Sequence, residues 1–298
     1  MRIDDFELKE PLPQLRHPHV IASLRPWVDP GRVGSLALAR LEQHMDAQEL
    51  GSLVMPGKYF DFTRYRPVVY SEGDQRQTTI PNTNVRYAPG QGDFDFVFVH
   101  MSEPHAFAEE YLDSLVSLVR FLQPQRYIRI GGVPATVPHT RPLLVRGSVS
   151  GKEAIDLPGI SPWNTRRISY QGPTTIMNLL DERIRGLDVE NITLTVRLPQ
   201  YVQLEEDYSG AARLLDVLRQ MYDLPAALAE SERGTRQYQR VSDEMNRNSN
   251  VKTLVKQLEA DYDARMEYSP EEEEDESSVL PPSMEKFLKE LGDKMGDI

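Results

Sequence analysis

The sequence predicts an α/β fold with a mixed sheet and a helical extension at its C-terminal end. Over the first 225 residues, short apolar runs that suit strands alternate with longer stretches whose apolar residues recur at helical spacing. Residues 94–100 (FDFVFVH) are the clearest strand, because aromatic and β-branched residues fill most positions. Short strand-like runs between residues 66 and 88 have no helix between them, which indicates that the sheet is mixed.

The first half of this region predicts six strands and two helices. The helices cover residues 33–45 and 104–122, where apolar residues share one face. The strands cover residues 19–24, 50–55, 66–70, 77–80, 84–87 and 94–100, and Gly, Asp and Pro mark the turns between them.

The second half predicts three strands and two further helices. A strand at 126–130 ends at Gly131-Gly132 and leads into a proline-rich loop, and strands follow at 143–149 and 191–198. A helix at 173–187 begins with Pro173, and a helix at 209–222 is expected to be capped by Ser209. Residues 1–225 therefore form the predicted α/β domain.

The chain after residue 225 lacks strand patterns. Residues 226–268 form a predicted helical extension with one apolar stripe, residues 269–282 an acidic linker, and residues 283–298 an amphipathic C-terminal helix. Such a tethered helix has the form of a ligand for a groove, either on this protein or on a partner protein. Its apolar face carries Met284, Phe287, Leu288 and Leu291.

Composition excludes several classes of protein and site. The 298 residues include no cysteine, which excludes disulfides, thiol nucleophiles and cysteine metal sites, and the six histidines form no HExxH motif, so we expect no metal. The net charge is −12 and no basic face is evident, so we expect no nucleic-acid partner. No apolar run is long enough to span a membrane and no secretory signal is evident, so a cytoplasmic protein without a membrane partner is expected.

Four segments, in order, resemble motifs of the proteasome assembly chaperone 2 family. They are PWVDPGRVG at 26–34 followed by the helix SLALARLEQHM, FDFTRYRPVVY at 60–70, GGVPATVPHTRP at 131–142, and PQY at 199–201. The resemblance implies a three-layer α/β sandwich akin to the nucleoside phosphorylases and hydrolases, and a homo-oligomer, for which a closed trimer is the expected form. Eukaryotic relatives guide proteasome α-subunits into a ring. The resemblance therefore implies a non-catalytic protein-assembly or scaffold factor, whose client the sequence does not name.

Two loops would border a pocket if the protein were instead an enzyme. The loop at 29–34 precedes a helix whose N-terminal N–H groups would attract an anion, with Arg32 as a further donor. His139 and Arg141 follow a buried strand, at whose C-terminal end ligands bind in open α/β sheets, and Glu103 follows the neighbouring strand. The candidate pocket residues are Gly31, Arg32, Gly34, Glu103, Gly131, Gly132, His139 and Arg141.

Each of these loops also has a purely structural interpretation. The first would be a tight turn that packs a helix on the sheet, and the second a proline-stiffened loop whose side chains bind their own backbone or a neighbouring subunit. No nucleophile stands beside a base, so no catalytic residue and no cofactor is assigned. The alternative to an assembly factor is an enzyme acting on a nucleoside-like or phosphate-bearing small molecule. A deep polar pocket would favour the enzyme, and a surface filled by protein would favour the assembly factor.

Overall fold

Twelve strands and six helices lie in the residues that the structure describes. The structure is a computed structural model, and it describes residues 1–72, 75–149, 152–153, 157–160, 172–247 and 249–267. The helices are α1 Val33–His44, α2 Ala108–Leu122, α3 Ile176–Ile184, α4 Tyr208–Tyr222, α5 Ser231–Met245 and α6 Ser249–Glu267. The strands are β1 Arg2–Ile3, β2 Phe6–Leu8, β3 His19–Arg25, β4 Gln48–Leu53, β5 Val68–Glu72, β6 Gln75–Thr79, β7 Asn84–Pro89, β8 Asp95–Ser102, β9 Arg126–Ala135, β10 Val145–Val149, β11 Lys152–Glu153 and β12 Glu190–Pro199.

The chain divides into two compact units. Unit 1 consists of Met1–Trp27, Leu38–Ile130 and Ser169–Thr193, and unit 2 consists of Val28–Ala37, Gly131–Ile168 and Leu194–Ile298. Three elements, α1, β9 and β12, therefore begin in one unit and end in the other.

A mixed sheet forms the centre of unit 1. Its strands follow the order β1-β2-β4-β7-β8-β3-β9, with β3 parallel to β8 and β9 and the other pairs antiparallel. All residues of β3 except the last are buried, and β8 is buried except at His100. Strands that are covered on both faces have nearly continuous apolar sequences, which is why the strand at 94–100 was so clear.

Unit 2 contains the ends of β9 and β12, the strands β10 and β11, and the helices α4, α5 and α6. The helices α5 and α6 follow residue 225 and pack against the chain just after β12. Their apolar stripe, predicted over residues 251–262, is buried within unit 2. The cluster consists of Tyr201, Val202, Val241, Met245, Val251, Leu254, Val255 and Leu258, with Leu204 packed against it.

The predicted α/β class, with a mixed sheet and flanking helices, is confirmed. Each predicted strand overlaps an observed strand, and the predicted helices overlap α1 to α6. The strands β1, β2 and β11 were not predicted, because two or three residues are too few to show a periodic pattern.

Several predicted boundaries differ from the observed ones by two to five residues; the helix α2, for example, begins at Ala108 rather than at residue 104. The strand β9 continues through Gly131-Gly132 as far as Ala135, because the glycines allow another backbone segment to approach the strand closely. The helix α3 begins at Ile176 rather than Pro173. The helix α4 is capped by Asp207 rather than Ser209, because the Asp207 carboxylate accepts the N–H of Gly210 at 2.8 Å.

Two predicted segments, the acidic linker and the amphipathic C-terminal helix, lie outside the described residues. In the described part of the chain, no helix combines the length and the apolar composition that a membrane span requires. The same residues contain no group of three or more His, Asp or Glu side chains placed to hold a metal ion.

Candidate functional site

The glycine pair in β9 lies against the segment that precedes α1, and both belong to unit 2. Gly132 donates its N–H to the carbonyl of Val28 at 2.9 Å. A Cβ atom on Gly131 would lie 2.3 Å from that same carbonyl oxygen. Only glycine leaves room for this crossing of two backbones, so the pair serves close packing rather than an open pocket.

The predicted anion site at the start of α1 is occupied by a carboxylate of the same chain. Asp29 is buried, and its Oδ1 accepts the N–H groups of Gly34 at 2.7 Å and Ser35 at 3.1 Å. Its Oδ2 accepts the hydroxyl of Ser35. The donors that would attract an external anion are thus satisfied internally by Asp29.

The turn at residues 30–32 is held by the segment before α4. Gly31 has a φ of +57°, and a Cβ there would lie 2.7 Å from Cβ of Asp207. The Asp207 N–H donates to the Gly31 carbonyl at 2.7 Å. Arg32 forms an ion pair with Glu206 at 2.7 Å, so its guanidinium already has an acidic partner.

His139 is buried and connects its loop to the chain just after β12 and to α5. The Tyr201 hydroxyl accepts the backbone N–H of His139 at 2.9 Å and lies 2.8 Å from Nδ1 of the ring. The other ring nitrogen, Nε2, lies 3.0 Å from Oγ of Ser242, whose hydroxyl donates to the Tyr238 carbonyl. These contacts fit a neutral ring in which Tyr201 donates to Nδ1 and Nε2 donates to Ser242. Burial lowers the pKa of His139 to about 4.

Arg141 ties the same loop to α6. Its guanidinium donates two hydrogen bonds to the Asp263 carboxylate, at 2.8 and 2.6 Å, and contacts Glu259 at 3.3 Å. The Tyr262 hydroxyl donates to the carbonyl of Pro142 at 2.9 Å. A two-pronged arginine–carboxylate pair is among the more specific polar contacts in proteins, so α6 covers this loop in a defined position.

Asp207 joins three parts of unit 2, namely the turn at residues 30–32, α4 and α5, and it was not singled out from the sequence. It is 3% exposed; besides capping α4, it accepts the Tyr238 hydroxyl of α5 at 2.8 Å. Burial raises the pKa of Asp207, and burial together with Asp207 raises that of Tyr238. The preference of helix starts for Asp would have found the cap, whereas nothing local marks Tyr238 as its partner.

Glu103, the remaining predicted pocket residue, belongs to unit 1, whereas the other seven belong to unit 2. Its Oε1 accepts the N–H of Ile176 at 2.9 Å and so caps the first turn of α3. Its Oε2 is buried without a hydrogen-bond partner among the described residues. Burial raises the pKa of Glu103, and its observed contact is that of a helix cap.

The candidate residues of unit 2 thus form an interlocked set of contacts. The guanidinium groups of Arg32 and Arg141 are paired with carboxylates, and both ring nitrogens of His139 are engaged.

A family model, described as the PAC2 family, matches residues 23–246, which is three quarters of the chain. The chain belongs to the PAC2 family.

Solved structures share the fold of this PAC2 family member. A PAC2 family protein from Streptomyces avermitilis is 26% identical, with 80% of this chain and 99% of that chain covered and a TM-score of 0.67. A protein of unknown function from Corynebacterium glutamicum is 21% identical, with 89% and 98% covered and a TM-score of 0.74. A proteasome-assembly chaperone homologue from Mycobacterium tuberculosis is 20% identical, with 79% and 99% covered and a TM-score of 0.67. No protein of curated function matches the sequence.

The close packing of α5 on α4 in this PAC2 family member predicts an unusual effect of a glycine substitution. A Cβ atom on Gly234 would lie 2.7 Å from Cα and 2.8 Å from N of Ser209. In an isolated helix Gly→Ala stabilises by about 1 kcal/mol. Here we expect Gly234→Ala to destabilise by about 1–3 kcal/mol in urea unfolding, because α5 must move away from α4. The control is Thr235→Ala, expected within about 0.5 kcal/mol of the wild type. A more stable Gly234→Ala protein would contradict the packing described here.

Proposed function

We propose that this PAC2 family member is a non-catalytic, oligomeric protein-assembly or scaffold factor. Membership of the family supports this role, and a relative of the same fold is named as a homologue of proteasome-assembly chaperones. The role proposed is the general one, in which the protein binds other proteins through its surfaces during assembly. The client is a protein whose identity the fold leaves open.

The observation that carries this proposal is that α5 and α6 bind the polar side chains of the loop that would have bordered a catalytic pocket. A general base needs a nitrogen within hydrogen-bond reach of its substrate, and both ring nitrogens of His139 bind side chains of the same chain. An anion site needs available hydrogen-bond donors, and the Arg141 guanidinium donates instead to Asp263 and Glu259 of α6. The polar residues of this loop therefore hold the protein together, which favours function through outer surfaces.

The rival function is an enzyme that acts on a nucleoside-like or phosphate-bearing small molecule. It would require an anion to compete with Glu206 for Arg32 or with Asp263 for Arg141. We expect inorganic phosphate and adenosine monophosphate to leave the melting temperature of the protein unchanged. A ligand at 100 times its Kd would add about 2.7 kcal/mol of stability. A rise in melting temperature that disappears in Arg32→Ala would overturn the assembly function in favour of the enzyme.

The predicted C-terminal helix is the proposed contact for a partner protein. Thirteen residues, 283–295, are too few to be stably helical alone, so the helix needs a groove to bind. Its predicted apolar face includes Phe287 and Leu288, which an amphipathic helix would insert into such a groove.

Affinity capture from the native cell, quantified by mass spectrometry, tests both parts of the proposed function. We expect the wild-type protein and a Lys289→Ala control to capture subunits of one multi-subunit complex. A Phe287→Asp/Leu288→Asp variant should lose them while keeping the circular dichroism spectrum of the wild type. Equal capture by the double variant would contradict the role of the helix. Capture of no such subunits by the wild type would contradict the assembly function.

A further inference from the structure

Charge is segregated along the chain after residue 225. Residues 233–256 carry six basic and two acidic residues, a balance of +4, whereas residues 257–298 carry four basic and fourteen acidic residues, a balance of −10. The acidic residues include six in succession at 271–276 (EEEEDE), which we call the acidic run. Like charges in such a block repel one another, and blocks of this kind often bind a surface of the opposite charge. The basic part that precedes the acidic run is therefore a candidate for that surface.

Three arginines line one side of α5 in unit 2. Arg233, Arg236 and Arg240 occur at positions i, i+3 and i+7 of the helix, so they share one side, and all three are exposed. The buried residues of α5 lie on a different side of the helix. Residues 231–241 contain one acidic residue, Glu232, beside the three arginines. This side of α5, which we call the arginine stripe, is therefore cationic.

The arginine stripe keeps hydrogen-bond donors available for carboxylates. Arg240 pairs with no carboxylate in the part of the chain that the structure describes. Arg236 contacts Glu232 at 3.4 Å, but that side chain is 92% exposed, and surface pairs of this kind are weak. The Arg233 guanidinium stacks 3.6 Å from the centre of the Tyr208 ring, which uses the face of the guanidinium and not its N–H groups.

The acidic run is long enough to reach the arginine stripe within the same chain. Leu258 of α6 belongs to the same buried cluster as Val241 of α5, which is the neighbour of Arg240. From Leu258 to the end of α6 at Glu267 the helix rises about 14 Å. Residues 268–276 can then extend over about 30 Å, which is enough to return to α5.

We propose that the acidic run binds the arginine stripe of α5 in the same chain. Alternate carboxylates on one side of an extended segment are spaced so that three of them span about 13 Å, and the three arginines span about 10 Å along the helix axis. Single surface ion pairs contribute little, so the contact depends on several pairs and on the high local concentration that a tether provides. The bound run closes the stripe to other acidic ligands. This inference does not depend on the client or on the role of the C-terminal helix.

The distance between two spin labels in the full-length protein tests this contact. The chain has no cysteine, so Gln239→Cys and Ser277→Cys place one label beside the stripe and one directly after the acidic run. We expect a short, narrow distance distribution at low salt. It should broaden to longer distances at about 1 M salt, where the Debye length is about 3 Å.

Variants with reversed charge identify the surface. Arg236→Glu/Arg240→Glu should lose the short distance at low salt. The control Arg66→Glu/Arg120→Glu makes the same change of charge at two exposed arginines of unit 1, and it should keep the short distance. Circular dichroism checks that each variant is folded. A distribution that Arg236→Glu/Arg240→Glu leaves unchanged, or a broad distribution of the wild type at low salt, would overturn the contact.

Mixing with unlabelled protein identifies the chain that supplies the acidic run. A contact within one chain keeps its short distance after the doubly labelled protein has equilibrated with an excess of unlabelled protein. Loss of the short distance on mixing would overturn the intramolecular contact and assign the stripe to the acidic run of a second copy.

A fluorescent hexaglutamate peptide tests whether the acidic run closes the stripe. We expect the peptide to bind about 10-fold more tightly when the acidic residues at 271–276 are each replaced by glutamine, because a tethered competitor has an effective concentration on the order of 1 mM. Adding Arg236→Glu/Arg240→Glu to this variant should abolish the gain. Equal affinity of the peptide for the wild type and the glutamine variant would contradict closure of the stripe.

Discussion

Removal of residues 226–298 is expected to unfold unit 2, although the described residues of that segment contain no strand. The helices α5 and α6 cover Tyr201 and Val202, and they supply the partners of His139 and Arg141. Six apolar side chains of the cluster belong to these helices. At about 1.5–3 kcal/mol for each buried side chain, their gross contribution is on the order of 10 kcal/mol. That is comparable to the whole stability of a typical domain, about 5–15 kcal/mol.

The matched control is a truncation after Glu267, which keeps α5 and α6 complete. We expect this shorter chain to retain the circular dichroism spectrum and the cooperative urea unfolding of the full-length protein. The chain that ends at residue 225 should instead be insoluble, or should bind a dye that reports exposed apolar surface. A soluble, cooperatively unfolding protein of residues 1–225 would show that the helical extension is dispensable for the fold.

Acidification is expected to destabilise the protein through His139. The unfolded chain binds a proton on this side chain near pH 6.5, whereas burial lowers the folded pKa to about 4. Between these values the unfolded state binds more protons, so stability is lost as the pH falls from about 6.5 to about 4. The loss attributable to His139 amounts to about 3 kcal/mol, because one pKa unit corresponds to about 1.4 kcal/mol.

The comparison of wild type with His139→Gln isolates this effect. The variant should be less stable at pH 7, because the Tyr201 and Ser242 hydroxyls lose their partners. The free energy of unfolding of the variant, measured in urea, should fall less steeply with decreasing pH than that of the wild type. The two plots of unfolding free energy against pH should therefore converge toward pH 4. A His44→Gln control, at an exposed histidine, should follow the wild type. Parallel curves for wild type and His139→Gln would contradict a buried, neutral His139.

Much of the fold was predictable because its signals are local. The alternation of strand-like and helical patterns is a property of neighbouring residues, and it located most strands and all six helices. Two of the misplaced boundaries involve a contact from elsewhere in the chain, with Val28 for β9 and with Glu103 for α3, whereas the Asp207 cap of α4 is local. The glycine pair illustrates this, because its flexibility indicates a turn until the carbonyl of Val28 is seen beside Gly131.

The candidate site was predictable only as a list of residues. The sequence places His139 and Arg141 after a buried strand, and it contains the hydroxyl and acidic residues that bind them, but it does not say which residues do so. Sequence analysis left open whether Arg141 would bind a phosphate-bearing substrate, its own loop or a neighbouring subunit, and it did not identify Asp263 as the partner. Asp29 fills the predicted anion site at α1. The motif contains this residue, but nothing in the sequence indicates that its carboxylate accepts the N–H groups at the start of the helix.

The amino-acid sequence by itself determined the class of the fold, the family and the helical character of the described residues after residue 225. These properties follow from periodicity, composition and the order of short motifs, none of which requires knowledge of how the backbone folds back on itself. Only the tertiary structure decided that the loop residues serve packing. His139 meets Ser242 across 103 positions of the chain, and Arg141 meets Asp263 across 122. Such pairs depend on the path of the whole backbone, so no local pattern distinguishes a histidine that binds its own chain from one that would bind a substrate.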